Sequence, residues 1–327
     1  MDRIRHGSSK DVVVNMLGGK VESIDMVFTN HYSIFDVGRS PDTILGFGRA
    51  RASIANAAFG ALHKDGLPTH FRSYNPETNT INVEPFNVYE LPGCMYEKAR
   101  GRVVPLEIID RRCVTEALIE RGRNDPVFQR KMLAHLFDDV VLGAEFTRPL
   151  IECTTKYEPI DRKLSDQEAI GLSNLGEASF AELTKLISDA SDCMTDFFAP
   201  RGFKRIDGKW EVAITYDGPN FVIVDAATPD EMRLVAHDDG LSHDKDPIRS
   251  YAKSEYPDWY ASLGKAKQDW PNDPSLWPSY PWKCLPEAIS NEVARRYKRV
   301  ETAAATNWST RVHYWKGVPS RGALFPK

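Results

Sequence analysis

The 327-residue sequence has no long apolar run and no apolar leader at its N-terminus. A membrane-spanning helix needs about 20 consecutive apolar residues, and a secretory signal needs a shorter apolar stretch near its start. The segment Met1 to Lys10 is instead largely charged and polar. We therefore expect a cytoplasmic protein that does not interact with membranes.

An excess of one charge is also missing, because 42 Lys and Arg residues oppose 46 Asp and Glu residues and leave a formal net charge of -4. Nucleic-acid-binding proteins usually carry a basic excess, so no nucleic-acid partner is expected. Five cysteines are spread from Cys94 to Cys284 without a CxxC pair, which argues against a disulfide framework or a zinc knuckle and predicts reduced thiols. The composition suits one or two globular domains.

Runs of β-branched and aromatic residues predict the strands. Such runs lie between Ser23 and Asp36 and between Val103 and Asp110. The segment KWEVAITYDGPNFVIVD at residues 209–225 predicts a hairpin around its YDGPN turn. The stretch from Tyr256 to Pro286 is rich in tryptophan and proline, and we interpret it as an ordered loop packed on the core.

Apolar residues at helical spacing predict three helices. Ser53 is a suitable N-cap for a helix that ends near Gly66. From Glu177 to Ala199 apolar residues recur three and four positions apart, and a further helical pattern runs from Glu287 to about Ala305.

Charged residues inside the predicted hairpin are candidates for chemistry, because burying a charge is costly unless a partner or an ion compensates it. Asp207, Lys209 and Glu211 alternate along the first strand, and Asp225 ends the second. Two carboxylates on paired strands can hold Mg²⁺, which takes oxygen ligands and shares them with nucleotide phosphates. Glu211 lies across from Asp225 only if the loop is odd or bulged. The alternative, a solvated strand face, stays open on spacing alone.

Eight short motifs follow one another along the chain. They are GGK at 18–20, TNHYSIFDV at 29–37, GLPTHF at 66–71, VPLEIIDRRCVT at 104–115, TTKYEPID at 154–161, DGKWE at 207–211, VDAATPDEMRL at 224–234 and HDKDPIRSY at 243–251. In this order they resemble the SAICAR synthetase (phosphoribosylaminoimidazole-succinocarboxamide synthase) family, from about Gly18 to Tyr297. No single motif is specific, so the order of the whole series carries the resemblance.

The resemblance implies an α+β fold with two lobes. Residues 1–105 would form an ATP-binding lobe with an antiparallel sheet, similar to the ATP lobe of kinase-like folds, and residues 106–327 a larger α+β lobe for substrate and metal. The implied activity is an ATP-dependent ligase that joins L-aspartate to the carboxylate of carboxyaminoimidazole ribonucleotide (CAIR) in purine biosynthesis. ATP and Mg²⁺ are the implied cofactors. The expected partners are these small molecules, and a homo-oligomer is compatible with the resemblance.

The resemblance also implies roles for individual residues. The residues that would bind the nucleotide are Lys20, Glu107 and Lys156, and those that would hold Mg²⁺ are Glu211 and Asp225. The implied catalytic residues are Asp36, Asp207 and Lys209. The substrate side would comprise Ser33, Arg111, Glu158, Asp161, Arg233, Lys245 and Arg249. Among these, Arg111 and Arg233 match the arginines that grip the ribose 5′-phosphate, because a guanidinium can bind two oxygens at once.

Departures from the family pattern leave alternatives open. The usual Gly-Lys-Gly is Gly46-Phe47-Gly48 here, with Arg49 as a candidate replacement charge, and the usual Thr-Gly-Ser is Thr115-Glu116-Ala117. The usual Asp-Glu is Asp225-Ala226, and Ser-Ser is Glu231-Met232. The chain is therefore expected to be a SAICAR synthetase. The alternatives are a ligase of the same mechanism on another nucleotide-like carboxylate or amine, or a non-catalytic nucleotide-binding regulator.

Overall fold

The computed structural model describes residues 3–89, 94–97, 99–137, 139–218 and 220–306. Within these residues the chain forms two antiparallel sheets and eight α-helices, an α+β architecture. No helix in this part of the chain is both long and apolar enough to cross a bilayer. The five cysteines are free thiols.

The first sheet has the strand order β1-β2-β3-β5-β4. Its strands are β1 (Arg3–His6), β2 (Lys10–Leu17), β3 (Lys20–Phe28), β4 (Phe71–Asn75) and β5 (Thr80–Val83). The β2–β3 hairpin turns at Gly18 and Gly19, whose φ angles of 58° and 78° fall in the left-handed region that favours glycine. Helix α1 (Phe47–Lys64) packs against β3 and β5 of this sheet.

The second sheet has the order β11-β10-β7-β8-β9, and β6 and β12 also pair with the long central strand β10. Its strands are β6 (Gly101–Val103), β7 (Leu106–Cys113), β8 (Glu145–Thr155), β9 (Lys163–Leu164), β10 (Phe203–Thr215), β11 (Phe221–Val224) and β12 (Met232–Ala236). Strand β6 precedes residue 105, where the sequence places the lobe boundary, yet it pairs with β10. The expected second lobe extends to residue 327, and its residues 307–327 lie outside the described part.

The remaining helices follow in chain order. They are α2 (Glu116–Asn124), α3 (Pro126–Leu133), α4 (Asp166–Ser173), α5 (Glu177–Phe198), α6 (Asp246–Glu255), α7 (Pro257–Asp269) and α8 (Glu287–Ala305), with 3₁₀ turns at Ala199–Arg201 and Pro274–Leu276. Helices α5 and α8 confirm two predicted helices, and β10 with β11 confirms the predicted hairpin. Helix α5 buries Leu183, Ile187 and Met194 on one face, as its apolar spacing predicts.

Several local predictions are wrong. The run SIFDV forms a turn instead of a strand, because Phe35 and Asp36 have φ angles of 51° and 56°. Helix α1 begins at Phe47 after an N-cap at Gly46, so Ser53 lies inside the helix and does not cap it. The segment interpreted as a loop contains helix α7. Pro257 is compatible with this helix, because it lies in the first turn, where a backbone N–H is not needed for an intrahelical hydrogen bond. By contrast, the strand prediction for the run from Val103 to Asp110 is confirmed, with a break at Pro105 between β6 and β7.

The main hydrophobic core joins both sheets with α1 and α5. It includes Ile81 from the first sheet, Leu106 and Val212 from the second, Phe59 from α1 and Met194 from α5. A second, aromatic cluster packs the loop after β3 against α6, α8 and the segment before α8, with buried Tyr32, Trp282 and Tyr297 among its members. The two sheets are thereby fixed around a shared interior, and the loops between them line a cleft.

Candidate active site

A cleft of about 900 Å³ is lined by residues from both sheets and from α6. Arg5, Lys10 and Val12 of the first sheet line one side, and Asp207 and Lys209 of β10 line another. The residues that the sequence analysis predicts and that line the cleft are Ser33, Asp36, Lys156, Asp207, Lys209, Asp225, Arg233, Lys245 and Arg249. Nine predicted site residues that are far apart in sequence therefore share one concave surface.

Lys209 forms an ion pair with Glu107 across two neighbouring strands. Strand β10 pairs with β7, and the Lys209 Nζ atom lies 2.9 Å from Glu107 Oε1. Burial raises the pKa of Glu107 to about 7, although the Lys209 ammonium opposes that rise. Burial opposes the charge of Lys209, but the carboxylates of Glu107, Asp161 and Glu211 outweigh this and raise its pKa. Lys209 therefore stays protonated and presents a positively charged hydrogen-bond donor at the cleft surface.

Two further lysines hold the carboxylates that the sequence predicts as metal ligands. Lys156, which follows β8, forms a close ion pair with Glu211, and Lys10 at the start of β2 forms one with Asp225. Burial tends to raise the pKa of Asp225, but the ammonium of Lys10 reverses this and lowers it. Burial lowers the pKa of Lys10, but Asp225, Glu231 and Glu211 outweigh this and raise it.

The register of the hairpin does not fix these two carboxylates opposite each other. Glu211 pairs with Val224 and not with Asp225, so the two acids are not directly opposed in the ladder. Strand β11 ends at Val224, and Asp225 adopts a left-handed backbone with φ 63°. The strand alternation therefore no longer fixes the side of Asp225. The backbone O atom of Asp225 also lies 3.2 Å from His70 Nε2, and this contact ties the GLPTHF motif to the cleft.

The donor set suits a cation that arrives with a nucleotide. Among the residues that the structure describes, no group of three His, Cys, Asp or Glu side chains converges to hold a metal ion. Glu211 and Asp225 provide two carboxylates, and Mg²⁺ commonly binds one or two protein carboxylates while water and phosphate oxygens complete its shell. The residues therefore fit Mg²⁺ shared with phosphates, and they do not form a closed protein cage.

Asp207 organises the two arginines that the sequence assigns to a phosphate. Arg233 Nε lies 2.9 Å from Asp207 Oδ1, and Arg111 Nη1 lies 3.3 Å from Asp207 Oδ2. Arg111 also donates to Glu152 at 2.9 Å. Burial would raise the pKa of Asp207, but Arg233, Arg111 and Arg205 lower it overall. The carboxylate of Asp207 thus stays charged and fixes both guanidinium groups beside the cleft.

Lys245 and Arg249, from the HDKDPIRSY motif, line the cleft beside acidic partners. Lys245 Nζ is 3.4 Å from Asp230 Oδ1, and Arg249 is 3.7 Å from Asp244 and 3.5 Å from Asp246. Burial lowers the pKa of Lys245, and Asp230 opposes that change. Lys245 is therefore largely desolvated, and acidic partners orient both cations.

Some predicted residues do not line the cleft. Glu107, Arg111 and Glu211 lie one contact behind it, because each is bonded to a lining residue. Asp161 contributes to the raised pKa values of Glu107 and Lys209. Glu158 forms an ion pair with Arg162 at 3.4 Å in an exposed loop. The functional roles of these five residues, like those of the predicted residues that line the cleft, stay predictions.

Lys20 is not brought to the cleft, and Lys10 stands there instead. Lys20 pairs with Leu17 at the turn of the β2–β3 hairpin, and its half-exposed side chain lies 3.9 Å from Glu97. Lys10 begins β2, seven residues from that turn, a distance of roughly 23 Å along an extended strand. In the sequence, Lys10 is marked by the run Gly7-Ser8-Ser9 that precedes it. This run forms a tight loop that suits glycine, because a Cβ on Gly7 would lie 2.5 Å from the Lys10 carbonyl oxygen.

Arg51 is a second buried cation that the sequence analysis does not single out. Its side chain is fully buried, its Nε lies 2.7 Å from Asp230 Oδ2, and its guanidinium lies 3.7 Å from the centre of the Phe47 ring. Arg49, the predicted replacement charge, is largely exposed and sits 3.7 Å from Glu301. The positive charge next to Phe47 is therefore that of Arg51.

Glu231 places another carboxylate in the cleft wall. Its Oε2 accepts from the backbone N–H of Thr228 at 3.1 Å, and its own backbone O accepts from the N–H of Lys209 at 2.7 Å. Burial raises the pKa of Glu231 to about 7, a rise that Lys10 opposes and Asp225 reinforces. Glu116, the other acidic departure from the family pattern, is exposed in the first turn of α2.

Sequence comparison with known proteins finds relatives along most of this chain. A family model described as SAICAR synthetase matches residues 5–265. A protein of Archaeoglobus fulgidus named "Putative phosphoribosylaminoimidazole-succinocarboxamide synthase" is 30% identical over 89% of this chain and 91% of its own length. A phosphoribosylaminoimidazole-succinocarboxamide synthase of Thermoplasma acidophilum is 26% identical over 86% of this chain and 92% of its own length.

Solved structures share the fold. The SAICAR synthase of Saccharomyces cerevisiae, complexed with SAICAR, aligns with a TM-score of 0.67 at 17% identity over 94% of this chain and 96% of that one. A structure titled SAICAR synthetase (Type-2) in complex with ADP aligns with a TM-score of 0.59 at 21% identity, over 76% of this chain and 90% of that one.

Proposed function

The chain belongs to the SAICAR synthetase family, and we propose that it joins L-aspartate to the carboxylate of CAIR at the expense of ATP, giving SAICAR, ADP and phosphate. It is a carbon–nitrogen ligase of purine biosynthesis that acts in the cytoplasm on small molecules. The observation that supports this best is the convergence of Lys10, Lys156 and Lys209, each with a carboxylate partner, on one cleft.

ATP binds where these three ammonium groups meet. Each ammonium exchanges its carboxylate partner for phosphate oxygens, because a triphosphate carries more charge than one carboxylate. The exchange frees Glu211 and Asp225, which would hold Mg²⁺. When bound, Mg²⁺ neutralises charge on the triphosphate. Residues 1–105, with Lys10, form the ATP-binding lobe of this proposal, and residues 106–327 form the lobe for substrate and metal.

The CAIR carboxylate is activated before the amide forms. One of its oxygens bonds to the terminal phosphorus of ATP while the bond to ADP breaks, and the product is an acyl phosphate. The chain's residues hold the two reactants in line, and this positioning supplies much of the rate. Arg111 and Arg233, fixed by Asp207, bind the ribose 5′-phosphate, while Ser33 and Asp36 contact the ring and its carboxylate.

Aspartate then replaces the phosphate. Its amine, once neutral, attacks the acyl carbon, the C–N bond forms, and the C–O bond to phosphate breaks. One proton leaves with the phosphate and one passes to solvent. Lys245 and Arg249 suit the carboxylates of aspartate, since both cations line the same cleft. Glu158 and Asp161 keep in this proposal the substrate-side role that the resemblance implies.

The test is release of ADP by the purified protein with ATP, Mg²⁺, CAIR and aspartate, measured in a coupled assay. We expect release only when all four are present. Lys209→Met should lower kcat/KM by about 100-fold or more, because a charge-stabilising donor at the transferring phosphoryl group is lost. Asp225→Asn should lower kcat/KM to a similar extent, because one of the two carboxylates that would hold Mg²⁺ loses its charge.

Lys204→Met is the matched control. Lys204 lies on the same strand but bonds to Glu145 at 2.8 Å, outside the cleft. Its variant should keep wild-type turnover, and all three variants should keep the wild-type circular dichroism spectrum. Full activity in Lys209→Met would remove the proposed mechanism.

Glu231 favours a second candidate, a ligase of the same mechanism that acts on a different carboxylate. This side chain puts a carboxylate in the cleft wall, two positions before Arg233, which binds the substrate phosphate in the proposal. Release of ADP with another nucleotide-like carboxylate, and none with CAIR, would select this candidate. ATP binding without turnover on any carboxylate would select a non-catalytic regulator.

A further inference from the structure

A turn in the cleft wall has an unusual backbone. Residues Ser33 to Asp36 all line the cleft, and Ile34 O accepts from Val37 N at 3.3 Å to close the turn. The two residues in the middle, Phe35 and Asp36, have φ angles of 51° and 56°. Residues with a side chain rarely adopt this left-handed region, and a phenylalanine does so at a cost. The turn therefore needs support from elsewhere in the fold.

The hydroxyl of Tyr280 spans the two ends of this turn. It accepts a hydrogen bond from the Ile34 N–H at 3.1 Å and donates one to the Gly38 carbonyl oxygen at 3.0 Å. Tyr280 comes from the segment between α7 and α8, more than 240 positions from the turn. One side chain thus satisfies a donor and an acceptor of the same strained turn.

The side chains of the turn are held by the same region of the chain. Lys267 of α7 donates to Asp36 Oδ2 at 2.8 Å. The Phe35 ring lies 5.1 Å from that of Tyr260, and the ring of Trp259 stacks on Tyr280 with centres 6.3 Å apart. We call Trp259, Lys267 and Tyr280 the clamp. The family match ends at residue 265, so Lys267 and Tyr280 lie beyond it.

We propose that Tyr280 is a positioning residue, which keeps the strained turn in the conformation that presents Ser33 and Asp36 to the carboxylate-bearing nucleotide substrate. The inference rests on the proposed function, in which these two residues contact CAIR. A turn that is already ordered binds its ligand without a further entropic cost, so the clamp contributes to CAIR affinity. The ATP phosphates are bound by lysines on other elements and do not depend on the clamp.

The test compares Tyr280→Phe with the wild type. The substitution removes only the hydroxyl, so both bonds to the turn are lost while the ring stays. We expect the KM for CAIR to rise about tenfold, as the loss of two hydrogen bonds predicts. The KM for ATP should stay within about twofold, because the lysines that bind the ATP phosphates do not contact this turn. Calorimetric titration of CAIR without ATP should show a similar increase in the Kd for CAIR.

Lys267→Met is the second variant. It removes the ion pair to Asp36 at a partly exposed site and should raise the KM for CAIR by about threefold. Tyr256→Phe is the matched control, because Tyr256 belongs to the same aromatic cluster but its hydroxyl faces Tyr251 at 3.5 Å and not the turn. This control should leave both KM values unchanged.

Two outcomes would overturn the inference. If Tyr280→Phe raised the KM for CAIR and for ATP equally, with a lower melting temperature, the tyrosine would be a structural residue only. Unchanged CAIR binding in the titration would remove the role altogether. An inactive wild type would instead count against the proposed function, and the titration would still decide whether Tyr280 supports CAIR binding.

Discussion

At the scale of single residues, the cleft cations are held by acidic partners before any ligand enters. Lys10, Lys156 and Lys209 are paired with Asp225, Glu211 and Glu107. The pair with Lys209 keeps the buried Glu107 carboxylate from standing alone, which would cost several kcal/mol, and the half-buried Glu211 and Asp225 are compensated in the same way. In the proposed function, ligand binding at this site is therefore an exchange of partners, and the lysine that touches phosphate is one that lines the cleft.

A pair of lysine variants tests which lysine of the first sheet binds ATP. We expect Lys10→Met to raise the KM for ATP by about tenfold or more, because a charge-assisted contact is lost. Lys20→Met should change it by less than about twofold, since exposed ion pairs contribute little. Steady-state kinetics with varied ATP gives both values. A large effect at Lys20 and none at Lys10 would restore the assignment that the sequence resemblance implies.

At the scale of one element, strand β10 bears Asp207, Lys209 and Glu211, and it also contributes Arg205 to a buried ion pair. Arg205 and Asp110 are fully buried, with Arg205 Nη2 2.5 Å from Asp110 Oδ1, and Trp210 Nε1 donates to the same carboxylate at 2.6 Å. The register of β10 against β12 shifts between Arg205 and Asp207. The buried pair and this irregularity set where the functional side chains emerge.

Gly208 gives a test of this element. A Cβ there would lie 2.0 Å from Arg205 Nη2 and 2.8 Å from Asp110 Oδ1, so Gly208→Ala must displace the buried pair. We expect the free energy of unfolding to fall by about 3 kcal/mol, measured by urea denaturation. Gly60→Ala in α1 is the control, because a Cβ there meets nothing within 4 Å. It should raise stability by about 0.5–1 kcal/mol. A neutral Gly208→Ala would show that the pair can move freely.

At the scale of the whole molecule, Arg51 connects parts of the chain that are distant in sequence. Its guanidinium donates to the carbonyl oxygens of Thr29 and His31 at 3.1 and 2.6 Å, and it forms an ion pair with Asp230. Asp230 in turn accepts from the Tyr297 hydroxyl at 2.7 Å. Burial tends to raise the pKa of Asp230, but Arg51 and Lys245 lower it overall. The loop after β3, the wall of the cleft and α8 are thus joined through one carboxylate.

Removal of this connection should destabilise the molecule. Arg51→Met leaves Asp230 buried with less compensation, and we expect the free energy of unfolding to drop by about 3–5 kcal/mol. Arg49→Met, two residues earlier but exposed, should change it by no more than about 1 kcal/mol. Chemical denaturation of both variants provides the comparison. Equal losses would show that burial of Arg51 does not set its contribution.

Much of the fold follows from local pattern. The apolar spacing of α5 and α8 and the β-rich runs of β10 and β11 depend on residues within one element, so they could be predicted. The turn at Phe35 and Asp36 could not, because its left-handed backbone is held by Tyr280, far along the chain. The start of α1 could not be predicted for a related reason, since Gly46 caps it by backbone conformation and not by a side chain.

The sequence by itself determined the family, through the order of its motifs, and nine of the residues that line the cleft. Only the tertiary structure decided that Lys10 and not Lys20 reaches Asp225, and that Arg51 and not Arg49 is the buried cation beside Phe47. Lys10 and Asp225 are 215 positions apart. The physical reason is that periodicity and motif spacing report on neighbours in the chain, whereas an ion pair forms between groups that long-range packing brings together.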